Sequence, residues 1–279
     1  MTGRAPRTAI VTGGLRGLGR AMTLGLAGQG IKVLAVGHVR EDVAAMSDIE
    51  NVRPVAADLR HLGSVDAIVA EAEAAFGQVD ILVNNAGLTF TYIDPDRFTK
   101  GPLKFWELPD EIIQNVMDTN YVAADRMARR LAPIMLKQGW GRIINVTTKL
   151  DTMNRAGSVP YGPSKAALEM ATEIWAKELV GSGVTVNIVN PGAGANTPGM
   201  AQVMRDWSRD GKAPRLVEPE EMVPPLLYVV SDEASAVNGY RFDAQTWDNT
   251  LPPAEAARRN GRPAGFILHP RDLSAFPGA

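Results

Sequence analysis

Short apolar runs of β character alternate with amphipathic helical patterns almost from the first residue, and this alternation leaves few folds open. The pattern predicts strands over 8–12, 32–37, 52–57, 81–84, 142–147, 184–190 and 240–243, and helices over 18–29, 64–76, 110–137, 161–180 and 219–230. Strands separated by helices form parallel sheets, because a parallel pair needs a long crossover, and right-handed crossovers put helices on both faces. The expectation is an α/β chain with a seven-stranded, mostly parallel, doubly wound sheet in a single domain. Residues 1–243 carry it, and 244–279 form a C-terminal extension. Two segments break the alternation: 88–109, rich in aromatics and prolines, and the extension itself, both read as loop with short helical pieces.

The balance of charge removes several functional classes. A net charge of -2 with signs interspersed offers no basic face for nucleic acid or an anionic bilayer. No apolar run approaches the ~20 residues that span a membrane, and the N-terminus enters a strand directly, so a cytoplasmic protein is expected. The chain has no cysteine, and its histidines, His38, His61 and His269, are too scattered to suggest a metal site. Neither thiolate chemistry nor a resident metal is expected.

Two local patterns point to chemistry. TGGLRGLG follows the first strand directly, with Gly13, Gly17 and Gly19 at the turn into the first helix. Glycines let backbone amides approach a phosphate, and the helix N-terminus adds partial positive charge, so a dinucleotide pyrophosphate suits the turn. Further on, Tyr161 and Lys165 stand four residues apart at the start of a helical pattern, one turn above each other on one face. An ammonium beside a phenol favours the phenolate and lowers the tyrosine pKa.

These and other motifs occur in the order in which the short-chain dehydrogenase/reductase family carries them. TGGLRGLG at 12–19, Asp58 after the third strand, NNAG at 84–87, Asn120 in a long helix, Thr147 and Thr148 after the fifth strand, YGPSK at 161–165 and PG at 191–192 together resemble that family. The match runs from the first strand to about Asp243. The resemblance implies a Rossmann-type fold, a nicotinamide cofactor and hydride transfer between an alcohol and a ketone or aldehyde. It places the cofactor against Gly13, Leu15, Arg16, Gly17, Leu18 and Gly19, with Asp58 and Leu59 at the adenine. Asn85, Ala86 and Gly87 would run along the adenosine side, Lys165 would reach the nicotinamide ribose, and Pro191, Gly192 and Thr197 would hold the carboxamide.

The second strand ends at Gly37, where NAD-dependent relatives of this fold place a carboxylate on the ribose. Arg16, His38 and Arg40 lie close in sequence, and guanidinium groups suit a 2′-phosphate. NADP is therefore the expected cofactor, with NAD also possible. The alternative is that Arg16 and Arg40 are solvated surface charges.

By resemblance Tyr161 is the proton donor, Lys165 lowers its pKa and Asn120 kinks its helix and holds a water. Thr148, thirteen residues before Tyr161, stands where the family usually has serine. Threonine has the same donor and acceptor capacity with an added methyl. Substrate contacts are expected from 88–109, from Leu150 and Met153 beside Thr148 and Tyr161, and from 193–213. Phe90, Tyr92, Phe105, Trp106, Met200, Met204 and Trp207 are candidates, with ordinary packing the alternative for each. The expected activity is NADP-dependent carbonyl reduction or alcohol oxidation on a small molecule. A cofactor-binding redox sensor of weak activity is the alternative. A dimer or tetramer is expected through the helices at 110–137 and 161–180. The tail, with Trp247, Phe266 and Phe276, is expected to pack on its own domain or a neighbouring subunit.

Overall fold

In the computed structural model, residues 6–266 are described. Eight strands form one sheet: β1 (Thr8–Thr12), β2 (Lys32–Gly37), β3 (Val52–Ala56), β4 (Ile81–Asn84), β5 (Gly141–Asn145), β6 (Val184–Asn190), β7 (Tyr240–Asp243) and β8 (Arg262–Pro263). Their order is β3-β2-β1-β4-β5-β6-β7-β8, all parallel except the last pair. The chain runs outward from β1 to β3 and then returns to the other side of β1 as β4, so the winding direction reverses between β1 and β4. Crevices in open α/β sheets form at the carboxyl ends of the strands at such a reversal. Here Thr12 is in register with Asn84, and both glycine loop and NNAG segment leave the sheet at that point.

Strand residues alternate between two cores, as a period of two dictates. Val11, Val33, Val83 and Val189 face Met22, Leu26 and Leu226 on one side. Ile10, Leu34, Leu82 and Val186 face Ile68, Met127 and Leu131 on the other. Burial on both faces explains why these strands read as nearly continuous apolar runs.

The observed elements depart from expectation in several places. The eighth strand lies in the tail, two residues long and antiparallel to β7; it was too short to carry a periodic signal. The helix expected over 110–137 is three pieces: Asp110–Met117, a π-helical turn Asp118–Val122, and Ala123–Gln138. The strand expected to run to 147 ends at Asn145, so Thr147 and Thr148 lie on the loop beyond it.

The tail joins the main body through residue 266. Trp247 is buried, its ring 6.0 Å from that of Tyr228 and 6.1 Å from that of Phe242. A helix spans Pro253–Asn260, and the Asn260 side chain exchanges hydrogen bonds with the Asp243 backbone at 2.9 and 3.0 Å. Phe276 and His269 lie outside the described residues.

Candidate active site

The glycine loop is shaped by close approaches. Gly13 and Gly17 have φ of +62° and +54°, a region costly for residues with a Cβ. At Gly19 a Cβ would lie 2.0 Å from the Gly13 carbonyl oxygen. Asn85 ties this turn to the end of β4: its Nδ2 donates to the carbonyls of Thr12 and Gly13 at 3.0 and 3.1 Å. Thr12 Oγ1 accepts from the Asn85 and Ala86 amides at 3.0 and 3.1 Å. The helix Gly17–Gly28 follows with no side-chain cap and no acidic residue in its first turn. Its first amides are thus free of side-chain acceptors and aligned with the positive end of the helix dipole, an arrangement that fits a pyrophosphate.

The side chains of Leu15 and Leu59 are buried in the cores, and Leu18 packs against one of them, so these three offer a cofactor mainly their backbone. Asp58 is bridged by the Arg60 guanidinium, at 3.0 Å from Nε and 2.6 Å from Nη2, and these hydrogen bonds hold its pKa down at about 2. Around the end of β2, His38 and Arg40 are exposed and Arg16 is about half exposed. The sequence reading overlooked Asp42, whose carboxylate lies 3.9 Å from Arg16 Nε. A short helix, Arg40–Ala44, brings it there.

On the other side of the crevice, the Gly192 amide donates to Asn190 Oδ1 at 2.8 Å, and a Cβ on Gly192 would lie 3.0 Å from that of Asp243. The Pro191 carbonyl accepts from Gln245. Thr197 reaches back over the glycine loop, where a Cβ on Gly17 would be 3.2 Å from the Thr197 Cβ. The structure therefore places Thr197 against the glycine-rich turn. Thr89 Oγ1 donates to the Gly199 carbonyl at 2.8 Å, joining the loop after NNAG to the segment after PG.

Tyr161, Lys165, Thr148 and Asn120 come together at the carboxyl ends of β4 and β5. Tyr161 opens the helix Tyr161–Glu178, with the Thr148 side chain near enough to its hydroxyl to act on its pKa. Lys165 is buried one turn on, its Nζ donating to the Val146 carbonyl at 2.8 Å. Asn120 sits in the π-helical turn, fully buried. Its Oδ1 accepts from the Leu88 amide at 2.7 Å, and its Nδ2 donates to the Leu88 carbonyl at 3.1 Å and to Ser164 Oγ at 3.0 Å. Ser164 Oγ in turn donates to the Tyr161 carbonyl. The extra residue of a π turn re-aims one side chain inward, and here it fastens the loop beginning at Leu88 to the start of the tyrosine helix. A Cβ on Gly87 would lie 3.3 Å from Asn120 Oδ1 and 3.4 Å from Lys165 Nζ, so these groups flank the NNAG turn.

The electrostatics correct one expectation. Desolvation pushes the Tyr161 hydroxyl above the usual tyrosine value, and the hydrogen bond with Thr148 opposes that rise; Lys165 is not among the groups that shift it. The ammonium is turned to the Val146 carbonyl. Burial lowers Lys165 itself to about 8. Tyr161 thus holds its proton firmly at neutral pH.

Of the substrate candidates, Leu150 and Met153 form the ends of a helical turn, Leu150–Met153, packed against the tyrosine helix: a Cβ on Gly162 would be 2.4 Å from the Met153 carbonyl oxygen. Phe90 packs against Tyr161, ring centroids 4.7 Å apart and planes tilted by 49°. Phe105 and Trp106 instead project outward, 65% and 69% exposed, packed edge to face on each other.

A buried charge network behind the site was missed entirely. Glu169 and Arg241, both fully buried, pair at 2.8 Å. Glu169 Oε2 accepts from Thr147 Oγ1 at 3.0 Å, and Arg241 Nη2 donates to the Thr148 carbonyl at 2.9 Å. Glu169 Oε1 also accepts from the Gly265 amide at 3.2 Å, and Asp243 pairs with Arg262, so the tail closes over the network. A charge at position 241 between the aromatics of YRFD, and an acid four residues after Lys165 on its face, were the available signals.

The model of a short chain dehydrogenase family matches residues 7–208. The 3-oxoacyl-[acyl-carrier-protein] reductase of Escherichia coli is 30% identical over 240 residues, covering 84% of this chain and 93% of the relative. A short-chain type dehydrogenase/reductase of Picea abies is 33% identical over 248 residues, covering 83% and 88%. Among solved structures, an actinorhodin polyketide ketoreductase with NADPH superposes with a TM-score of 0.72 at 26% identity, covering 84% of this chain and 93% of that one. A Brucella melitensis 3-ketoacyl-(acyl-carrier-protein) reductase complexed with NADH gives 0.75 at 26%, covering 86% and 96%. The family match spans the glycine loop, the NNAG turn and the Tyr161 helix that the fold gathers at one crevice, and the chain belongs to the short chain dehydrogenase family.

Proposed function

We propose that this protein interconverts a ketone or aldehyde and the corresponding alcohol with NADP(H), Tyr161 acting as proton donor and acceptor. The observation that carries the reading is the convergence of Tyr161, Thr148 and buried Lys165 at the carboxyl ends of β4 and β5, beside a turn shaped for a pyrophosphate. The nicotinamide cofactor, when bound, supplies or accepts the hydride. Its pyrophosphate would lie on the Gly13–Gly19 turn, and Lys165, Gly192 and Thr197 are the groups proposed to hold its nicotinamide end. Thr148 Oγ1 and the Tyr161 hydroxyl together hold the substrate oxygen, and the Tyr161 proton passes to it as the carbonyl is reduced. Such transfer contributes typically ~10²- to 10⁴-fold. With its pKa raised, the phenol is protonated at neutral pH, as reduction requires, and Lys165, titrating at about 8, is mostly charged there.

NADP is proposed over NAD because Arg16 and Arg40 border the ribose end and no carboxylate stands at Gly37. The pairing of Arg16 with Asp42 tempers the preference, and the solved relatives are complexed with NADPH in one case and NADH in the other. Met170 and Ile174, four residues apart and partly exposed on the tyrosine helix, support a homo-oligomer, for which a tetramer is proposed. Turnover of a carbonyl and alcohol panel with each of the four cofactor forms tests the reading. The expected result is carbonyl reduction with kcat/KM higher for NADPH. Cofactor binding without turnover of any member would refute it and favour a redox sensor, and light-scattering mass checks the tetramer.

A further inference from the structure

The loop over Tyr161 carries a guanidinium that the catalytic chemistry leaves unused. Arg97, on the helical turn Arg97–Lys100, stacks its Cζ 3.9 Å from the centroid of Phe90, and Phe90 in turn lies on Tyr161. Phe90 thus touches both the cation and the catalytic phenol, its ring tilted 49° to that of Tyr161. Arg97 Nη1 donates to the Gly157 carbonyl at 3.0 Å, so the residue also bridges the two segments, 88–109 and 150–157, that border Thr148 and Tyr161. Pro102 reinforces this bridge, since a Cβ on Gly157 would be 2.6 Å from its ring.

Arg97 is half-buried, and among the described residues no carboxylate comes within ion-pair distance of it. Asp94, whose negative charge acts on Arg97 from beyond ion-pair distance, accepts from the Leu103 amide at 3.1 Å. A second cation, Arg155, stands close enough that, with desolvation, it depresses the Arg97 pKa. Arginine offers five donors in a planar fork, and one is accounted for by Gly157. A partly desolvated guanidinium with donors in hand, next to another positive charge, is suited to a carboxylate or phosphate.

We propose that Arg97 anchors an oxyanion of the substrate, so that the compound turned over carries a carboxylate or phosphate group near its reacting carbonyl. This rests on the carbonyl-reductase reading and gives that site its substrate class. Phe90 sets the spacing, holding the anion-binding fork one ring away from the tyrosine that protonates the carbonyl.

The test is a matched series of aliphatic ketones ending in a carboxylate, its methyl ester, a phosphate ester or a trimethylammonium group. Wild type, Arg97→Gln and Arg97→Lys are compared. A hydrogen-bonded charged contact is worth a factor of about 10 to 100. Wild type is expected to prefer an anionic member over the ester by that factor in kcat/KM, mostly through KM, and to discriminate against the cation. The preference falls toward parity in Arg97→Gln and is intermediate in Arg97→Lys. Which anion is preferred separates carboxylate from phosphate. Equal kcat/KM for acid and ester, or a preference unchanged in Arg97→Gln, would overturn the proposal and leave the carbonyl-reductase reading standing. If no ketone is turned over, that reading fails, and the anchor is decided by binding alone. Succinate or inorganic phosphate raises the melting temperature of wild type and not of Arg97→Gln if the anchor exists, and of neither or both equally if it does not.

Discussion

Arg241→Met isolates the buried network in one change. Arg241 and Glu169 are both fully buried and paired at 2.8 Å. Removing one member of such a pair costs about 3–5 kcal/mol, because the other charge is left uncompensated, whereas replacing both is often near neutral. After the substitution Glu169 keeps Thr147 Oγ1 and the Gly265 amide, which hydrogen-bond but bring no charge. Its pKa already stands above the ordinary carboxylate value because of burial, with Arg241 opposing the rise. Losing Arg241 raises it further. A carboxyl whose folded pKa is raised binds its proton more tightly in the folded state, so stability is greatest below the unfolded value and falls as pH increases through the window up to the folded pKa. Urea unfolding of Arg241→Met should therefore show a loss of about 3–5 kcal/mol at pH 8 and a smaller one at pH 5. Glu169→Gln/Arg241→Met should recover much of the pH 8 loss. The Thr148 carbonyl loses its Nη2 donor in either variant, so turnover should fall even in the recovered double variant. A loss under about 1 kcal/mol at pH 8, or one of equal size at both pH values, would refute the reasoning.

Other consequences are more direct. Tyr161→Phe should reduce kcat by ~10²- to 10⁴-fold, while Thr148→Ala loses activity and Thr148→Ser keeps most of it, as steady-state kinetics will show. Lys165, lowered to about 8 from 10.5, binds its proton less readily in the folded state. Stability should accordingly rise between about pH 8 and 10.5, and Lys165→Met should abolish that increase in melting temperature. Gly19→Ala places a methyl 2.0 Å from the Gly13 carbonyl oxygen, a backbone atom with no room to yield. Calorimetry should find cofactor affinity reduced at least about tenfold, together with a lower melting temperature.

Much of the fold was legible because its signals are local. The short apolar runs located β1, β2, β4, β6 and β7 at their observed bounds. The two-residue β8 was not legible, since pairing with β7 depends on where the tail returns and not on any pattern in Arg262–Pro263. The interruption at Asp118–Val122 followed from resemblance and not from DTNYV, which reads as ordinary helix. At the site, the glycine loop and the Tyr161–Lys165 spacing were visible as motifs. The direction of the Tyr161 shift was not, because the i,i+4 spacing suggests an ammonium facing a phenol, while the folded chain offers Lys165 the Val146 carbonyl. Phe105 and Trp106 looked like pocket walls by composition yet are exposed, since composition carries no direction.

Three features can be read from residue order alone: strands and helices alternate, a glycine-rich turn follows the first strand, and a tyrosine and a lysine share one helix face. Each of these is decided by residues within a turn or two of one another. It took the folded chain to show that Asn85 clamps the glycine loop, that Glu169 and Arg241 meet behind Thr148, and that Arg97 lies over Phe90. Glu169 and Arg241 are 72 positions apart along the chain and Asn85 and Thr12 are 73. Contacts at such separations leave no periodicity to read, because it is the packing of helices on both faces of the sheet that brings them together.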